Sequence, residues 1–236
     1  MKAVILAGGL GTRLRPFTEV IPKPLLPVGT KSLLEIQIER LRTHGFDEIY
    51  LATNYKSEYI SNFFGDGARY RVKLIISQEQ KPLGTAGPVL LLKDRLTEPF
   101  IVMNGDILST IDFRKLFQTA LDLKVDLCVS IRKIFTPFGF GRITHDGNYV
   151  TSVEEKPTFE TEILAGIYVF SPGIFRLIPP DEYFGVDTLI KKMLAEKIPI
   201  GLYALTEYWL DIGQVPDYEK AQKDFELYFG DEAPKP

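Results

Sequence analysis

The stretch AVILAGGLGTR, residues 3–13, decides how this chain is read. Ala3 to Ala7 is a continuous apolar run, the pattern of a strand covered on both faces. Gly8, Gly9 and Gly11 follow at once, with Thr12 and Arg13 behind them. A glycine-rich turn placed directly after a buried strand lets backbone N–H groups approach an anion, which is what phosphate binding needs. Alone, such a turn is more often a plain tight turn than a phosphate site. Arg13, Arg15 and Lys23 change that balance, because guanidinium and ammonium groups are what a triphosphate requires around it.

Two familiar nucleotide motifs do not fit the turn. A dinucleotide fingerprint needs a third glycine where Leu14 stands and an acidic residue at the end of the next strand, where the chain has Ala52-Thr53-Asn54. A P-loop needs Gly-Lys-Ser/Thr, and the chain has Gly11-Thr12-Arg13.

Outward from the turn, Leu34, Ile38 and Leu41 recur at helical spacing within 31–45 and stop at His44-Gly45, a C-terminal signal. Apolar strand-like runs follow at 47–53, 72–76, 100–103, 127–131, 164–170 and 198–205, with helical patterns at 85–96, 112–123, 187–196 and 216–229. Alternation of this kind predicts an α/β fold with a mostly parallel sheet flanked by helices. Residues 137–153, with Phe138-Gly139-Phe140-Gly141 and the turn Asp146-Gly147-Asn148, predict a β-hairpin instead, so the sheet is expected to be mixed or to carry a β-rich lobe. The tail 230–236 is expected to fray, leaving one domain over 1–229.

The composition is that of an ordinary globular chain: 236 residues, 45% hydrophobic, 28 Lys+Arg against 31 Asp+Glu. A net charge of −3 with no basic block offers no footprint for nucleic acid or an acidic membrane. Cys128 is the single cysteine, and His44 and His145 have no partner at ligand spacing, which excludes disulfides and zinc sites. With one Lys and five apolar residues ahead of Gly8 there is no signal-peptide core, so the expected setting is cytoplasmic.

Two carboxylates stand out. Asp106 follows the run 100–103 in Asn104-Gly105-Asp106, just past a buried strand, where open α/β sheets bind ligands. Asp211 lies in Tyr208-Trp209-Leu210-Asp211-Ile212-Gly213, and a nucleotide-bound Mg²⁺ uses one or two carboxylates with phosphate oxygens and water. Spacing alone does not show that the two meet, and either taken singly could cap a turn or helix. Glu154-Glu155-Lys156-Pro157 reads by itself as a solvated loop. Trp209, Phe63, Phe64, Tyr168 and Phe170 read as core or pocket wall rather than as base-stacking platforms.

Taken in order, LAGGLGTRLRPFTEVIPKPLLPV (6–28), EQKPLGTAGP (79–88), NGD (104–106), FG (140–141), EEKP (154–157), LAGIYVFSP (164–172) and YWLDIGQVPDY (208–218) resemble the sugar-1-phosphate nucleotidyltransferases along nearly the whole chain. The resemblance implies a Rossmann-like, GT-A-like fold and one reaction, in which an NTP and a sugar 1-phosphate give an NDP-sugar and pyrophosphate with Mg²⁺. It makes Leu6, Ala7, Gly8, Gly9, Gly11 and Thr12 the nucleotide cradle, with Arg13 and Lys23 on the triphosphate. Gln80 or Glu79, with Pro82, Gly84 and Thr85, would face the base. Asp106 and Asp211 would hold the metal, and Lys156 the sugar phosphate. Asn104, Gly141, Glu155, Leu164 and Gly166 would line the sugar side.

Departures from the pattern bear on the substrate. Many relatives have Asn where this chain has Leu164. The loop Pro82 to Pro88 is more similar to the mannose-1-phosphate guanylyltransferase version than to the longer thymidylyltransferase loop, which favours GTP with a mannose- or heptose-type sugar 1-phosphate. A thymidylyl-, uridylyl- or cytidylyltransferase acting on glucose 1-phosphate, or a non-catalytic nucleotide-sugar-binding protein on the same fold, are the alternatives. A second, acyltransferase-type domain is not expected. Homo-oligomers are common among such proteins, and the apolar stretch 175–180 is a candidate interface or an ordinary core contact.

Overall fold

A computed structural model describes residues 1–54, 56–230 and 233 of the chain. β1 (Lys2–Leu6) runs into the glycine turn, which leads through a short helix α1 (Phe17–Val20) to a small ladder of β2 (Pro27–Val28) with β3 (Lys31–Ser32). α2 (Leu33–Thr43) opens on a capping box. Ser32 Oγ accepts from the Glu35 N–H, and Glu35 Oε2 accepts from the Ser32 N–H, so donors that the first helical turn leaves without partners are satisfied from both directions. It stops where the sequence predicts, with Gly45 at φ +86°, a conformation that glycine adopts at little cost. β4 (Glu48–Thr53), α3 (Ser57–Phe64) and β5 (Lys73–Gln78) complete the first half.

The second half starts with α4 (Gly87–Leu90), β6 (Phe100–Asn104), β7 (Ile107–Ser109) and α5 (Phe113–Leu123). It goes on through β8 (Leu127–Pro137), β9 (Arg142–Asp146), β10 (Tyr149–Glu154) and β11 (Thr158–Phe170). α6 (Val186–Ala195), β12 (Gly201–Ala204), β13 (Trp209–Asp211) and α7 (Val215–Tyr228) close it.

Seven strands form the central sheet in the order β12-β8-β11-β6-β1-β4-β5. Only β11 runs against its neighbours β6 and β8, and every other pairing is parallel. This is the mixed, mostly parallel sheet that the sequence predicts. The chain moves outward from β1 to β4 and β5, then returns to the other side of β1 at β6. A reversal of that kind is the topological switch point, where open α/β sheets leave a crevice at their carboxyl ends.

Both faces of the sheet are covered. Alternate residues of β1 and of the position after it divide between them: Ala3, Ile5 and Ala7 pack with Ile38 and Leu41 of α2 and Leu116 of α5, while Val4 packs with Val89, Leu189 and Met193. A third cluster joins Leu14, Leu26 and Leu33 to Leu210, Ile212 and Phe225, tying the segment after the glycine turn to β13 and α7. Phe64, Tyr168 and Phe170 are buried in these cores, as read from the sequence.

Three departures refine the sequence reading. The helix expected over 85–96 is α-helical only at Gly87–Leu90, and i→i−3 bonds then take over (Leu92 N–H to Val89 O at 3.0 Å, Lys93 N–H to Leu90 O at 3.2 Å). Burial at Val89 and Leu92, three residues apart, is met by a three-residue turn, which the tighter bonding supplies. The hairpin expected within 137–153 is the β9–β10 pair. β8 and β11 are longer than predicted and continue past the sheet, pairing from Arg132 to Pro137 with Thr158 to Ile163, as an exposed arm that carries this hairpin between them. In the stretch 175–180, Leu177 and Ile178 are buried and the Phe175 ring stacks on Phe100, so that stretch belongs to the core. Of the tail expected to fray, Gly230 and Ala233 are described and the rest lies outside the described residues.

Leu92 is 4% exposed and Leu91 is 51% exposed. Urea unfolding should therefore show Leu92→Ala costing about 2–5 kcal/mol and Leu91→Ala staying within about 0.5 kcal/mol of the parent.

Candidate active site

At the carboxyl end of β1 the backbone is fixed from both sides. The Ala7 N–H donates to the Ala52 carbonyl at 2.7 Å, and the Gly105 N–H donates to the Leu6 carbonyl at 2.9 Å. A Cβ on Gly105 would stand 2.6 Å from that carbonyl oxygen, so only glycine lets the Asn104–Ile107 turn cross the end of β1 so closely. Gly11 has φ +62°, and its carbonyl accepts from the Leu14 N–H and from Thr18 Oγ1 at 2.9 and 2.8 Å. The glycine turn is thereby folded back on a short 3-10 turn that carries Arg13.

The two carboxylates meet. β13 pairs antiparallel with β7, setting Asp211 opposite Ile107, and the Ile212 N–H donates to the Asp106 carbonyl at 2.9 Å. Lys23 Nζ donates to Asp106 Oδ2 at 2.8 Å from a side chain that is 11% exposed. Asp211 Oδ1 is buried with no hydrogen-bond partner among the described residues. Gly213 lies beside it, where a Cβ would come to an ordinary contact distance of 3.6 Å from both Asp211 Oδ1 and Arg13 Nη1. Burial pushes the Asp211 carboxyl above the ordinary aspartate range, the neighbouring Asp106 pushes it the same way, and Lys23 and Arg13 oppose them.

The loop read as facing the base is held from behind. The Ala86 and Gly87 N–H groups donate to the Phe184 carbonyl at 2.9 and 3.0 Å, and the Phe184 N–H returns a bond to the Leu83 carbonyl at 2.9 Å. Gly84 has φ +83°, and a Cβ on it would meet the Phe184 carbonyl oxygen at 2.7 Å. Of the two neighbours, Glu79 lies at the pocket wall, with Oε1 accepting from Asn54 Nδ2 and Oε2 from the Leu83 N–H at 3.2 and 3.1 Å. Gln80 is exposed and does not line the pocket.

These pieces enclose an open cavity of about 450 Å³. Of the residues singled out in the sequence, Leu6, Ala7, Gly8, Gly9, Gly11, Thr12, Arg13, Lys23, Glu79, Pro82, Gly84, Thr85, Asn104 and Asp106 line it. Asp211 stands behind Asp106. Gly166, at φ +72°, packs on Asn104, where a Cβ would come within 2.8 Å of Nδ2. Glu155 and Gly141 sit together on the arm, a Cβ at Gly141 lying 3.2 Å from Glu155 Oε2, and neither they nor Lys156 and Leu164 line the cavity. Sequence reasoning did not single out Leu10, Pro24, Ala52, Pro88, Gly105, Tyr183 or Gly213, which also line the cavity. Gly213 could have been found from its place directly after Asp211-Ile212, whereas nothing local marks Tyr183, which is delivered by the Phe184 clip.

The donor set fits a divalent cation bound with phosphate: two adjacent carboxylates, Asp106 on the cavity wall and Asp211 behind it with a buried oxygen that lacks a partner among the described residues. No cluster of three or more His, Cys, Asp or Glu that could hold a metal without such help occurs among the described residues.

Residues 2–227 match the sequence profile of the family described as "Nucleotidyl transferase". The chain is 37% identical over 231 residues to mannose-1-phosphate guanylyltransferase 1 of Arabidopsis thaliana, a match that takes in 92% of this chain and 63% of that protein, so it spans less than two thirds of that relative. It is 36% identical over 234 residues to D-glycero-alpha-D-manno-heptose 1-phosphate guanylyltransferase of Aneurinibacillus thermoaerophilus, covering 97% of this chain and 100% of that one. Its fold is similar to the crystal structure of HddC from Yersinia pseudotuberculosis complexed with GMP-PN, with a TM-score of 0.73, 30% identity, and 95% and 99% of the two chains covered.

A carboxyl whose pKa is raised on folding costs stability wherever it is ionised; the cost shrinks as pH falls from the raised value and is gone below the ordinary one. Asp211→Asn should therefore leave the ligand-free protein as stable as the parent or more so near neutral pH, with the difference vanishing on acidification, as read from thermal melts across pH.

Proposed function

This chain belongs to the nucleotidyl transferase family, and from that premise we propose that it is a sugar-1-phosphate nucleotidyltransferase using GTP and a mannose- or heptose-type sugar 1-phosphate. The observation that carries the reading is the meeting of the glycine turn, Arg13, Lys23 and the Asp106–Asp211 pair at the switch point of the sheet. Residues 1–229 act as one catalytic domain in this reading. Its partners are small molecules in the cytoplasm, and no helix among the described residues is long and apolar enough to cross a membrane.

The chemistry asks little of general acids or bases. A phosphate monoester already carries negative charge at neutral pH, so an oxygen of the sugar 1-phosphate attacks the α-phosphorus of the nucleotide directly. The new P–O bond forms as the bond between the α-phosphorus and the α,β-bridging oxygen breaks, and pyrophosphate leaves with that oxygen. What the site must supply is the approach of two polyanions and stabilisation of charge on the transferring group. The backbone amides of the glycine turn cradle the triphosphate, and Arg13 and Lys23 stabilise it in the transition state. Asp106 and Asp211 would hold Mg²⁺, which supplies Lewis-acid polarisation of the phosphate oxygens. Lys156, brought by the arm, takes the sugar phosphate, with Glu155, Gly141, Asn104, Leu164 and Gly166 on the sugar side.

Glu79 supports guanine. A carboxylate accepts and never donates, and each of its oxygens has lone pairs beyond those used by Asn54 and Leu83. Guanine offers two adjacent donors on its Watson–Crick edge, N1–H and N2–H₂. Uracil and thymine offer one donor between two carbonyl oxygens, and adenine and cytosine offer one donor beside an acceptor. Only guanine pairs with a carboxylate without a repulsive contact.

A grid of NTPs against sugar 1-phosphates, with and without EDTA, should give metal-dependent pyrophosphate release strongest for GTP with a mannose- or heptose-type phosphate. Silence from folded protein across the grid would overturn the reading. Glu79→Gln, which can pair with uracil or thymine, should cut the preference for GTP over UTP by roughly tenfold or more in kcat/KM. Lys156→Ala should raise the KM for the sugar phosphate strongly and that for the nucleotide little, as separate titrations of each substrate would show.

A further inference from the structure

Gln37 is a polar side chain buried in the core of the molecule. It belongs to α2, is 2% exposed, and sits among apolar neighbours at a position where the helical pattern calls for another Leu or Ile. Its Nε2 group donates twice, to the Asn104 carbonyl at 3.1 Å and to the Ile107 carbonyl at 2.8 Å. Those carbonyls are the two ends of the turn whose middle residues are Gly105 and Asp106. Its Oε1 is buried with no partner among the described residues. A buried acceptor left without a partner costs stability, and an apolar side chain of the same length would avoid that cost. The amide is thus kept for what its N–H₂ end does.

What it does is close the last open side of the turn. Gly105 is tied to Leu6 beneath it, the Asp106 carbonyl is tied to Ile212 beside it, and the Asp106 carboxylate is tied to Lys23. Without Gln37 the ends of the turn, at Asn104 and Ile107, would have lost the donor that spans them from the helix side.

We propose that Gln37 is a positioning residue, whose side-chain amide sets the Asn104–Ile107 turn and through it the direction of the Asp106 carboxylate. This rests on the reading of Asp106 as a metal ligand. Outer residues that orient a ligand typically change metal affinity or turnover by roughly 10–100-fold when removed, and a change in that range is expected here.

The test uses Gln37→Met, which keeps the length and loses the donor, Gln37→Glu, which keeps the shape and offers only acceptors to the two carbonyls when ionised, and Asp106→Ala as the reference. Binding of Mn²⁺ alone to each protein is followed by electron paramagnetic resonance, beside kcat, both KM values and the urea midpoint. The proposal expects Mn²⁺ affinity and kcat to fall together in both Gln37 variants, Gln37→Glu the more affected, with both KM values and the urea midpoint of Gln37→Met close to those of the parent. If Asp106→Ala weakens Mn²⁺ binding while either folded Gln37 variant binds and turns over like the parent, the positioning role is overturned and the metal reading stands. If Asp106→Ala binds Mn²⁺ like the parent, the metal reading fails and takes the proposal with it. A fall in activity that tracks only a fall in the urea midpoint, with Mn²⁺ affinity unchanged in the folded fraction, would make Gln37 a packing residue and overturn the proposal.

Discussion

The backbone hydrogen bond from the Ile212 N–H to the Asp106 carbonyl is the joint on which the site turns. Among the described residues β13 lies outside the central sheet and pairs with β7 alone, the short strand that leaves the Asn104–Ile107 turn. That pairing brings Asp211 beside Asp106 from the far end of the chain. It also places Gly213 against Arg13 and feeds α7 into the cluster that packs behind the glycine turn. The glycine turn with Arg13 and Lys23, the turn that carries Asp106 and the strand that carries Asp211 come from three distant stretches of sequence: the ladder fastens the second to the third, and the Gly105–Leu6 and Lys23–Asp106 bonds fasten the first to the second.

The electrostatics follow from that fastening. Two carboxylates are held next to each other where one is buried, an arrangement that water would relieve and that folding enforces. Lys23 covers Asp106, while Asp211 is left with an oxygen that nothing in the described chain satisfies. Such local expense is carried by the apolar clusters on either face of the sheet, whose burial does not depend on the site's chemistry.

What could be read in the sequence was what chain neighbours determine. The run Ala3 to Ala7, the glycines after it and the stop at His44-Gly45 are local signals, and the structure keeps each of them. Asp106 could be placed at the rim because it follows a strand at once. The contact between Asp106 and Asp211 could not be read, because no spacing rule spans the 1–236 chain to pair two short strands. Tyr183 escaped for the same reason: it reaches the pocket only because Phe184, its neighbour, bonds to Leu83, Ala86 and Gly87. The helical pattern at 85–96 misled in a different way, since burial every third residue suits a tight turn as well as it suits one stripe of an α-helix. The length of the arm was hidden because its strands carry apolar residues that remain exposed, so alternation there does not mark an inside and an outside.

The clip between Phe184 and the loop before α4 fixes one wall of the cavity from behind. Gly84 is closed to any side chain both by its backbone conformation and by the Phe184 carbonyl, and the loop ends are locked to the same residue. In the proposed reading, the wall that receives the nucleotide is therefore built before any ligand arrives, and the cost of ordering this loop falls on folding rather than on binding.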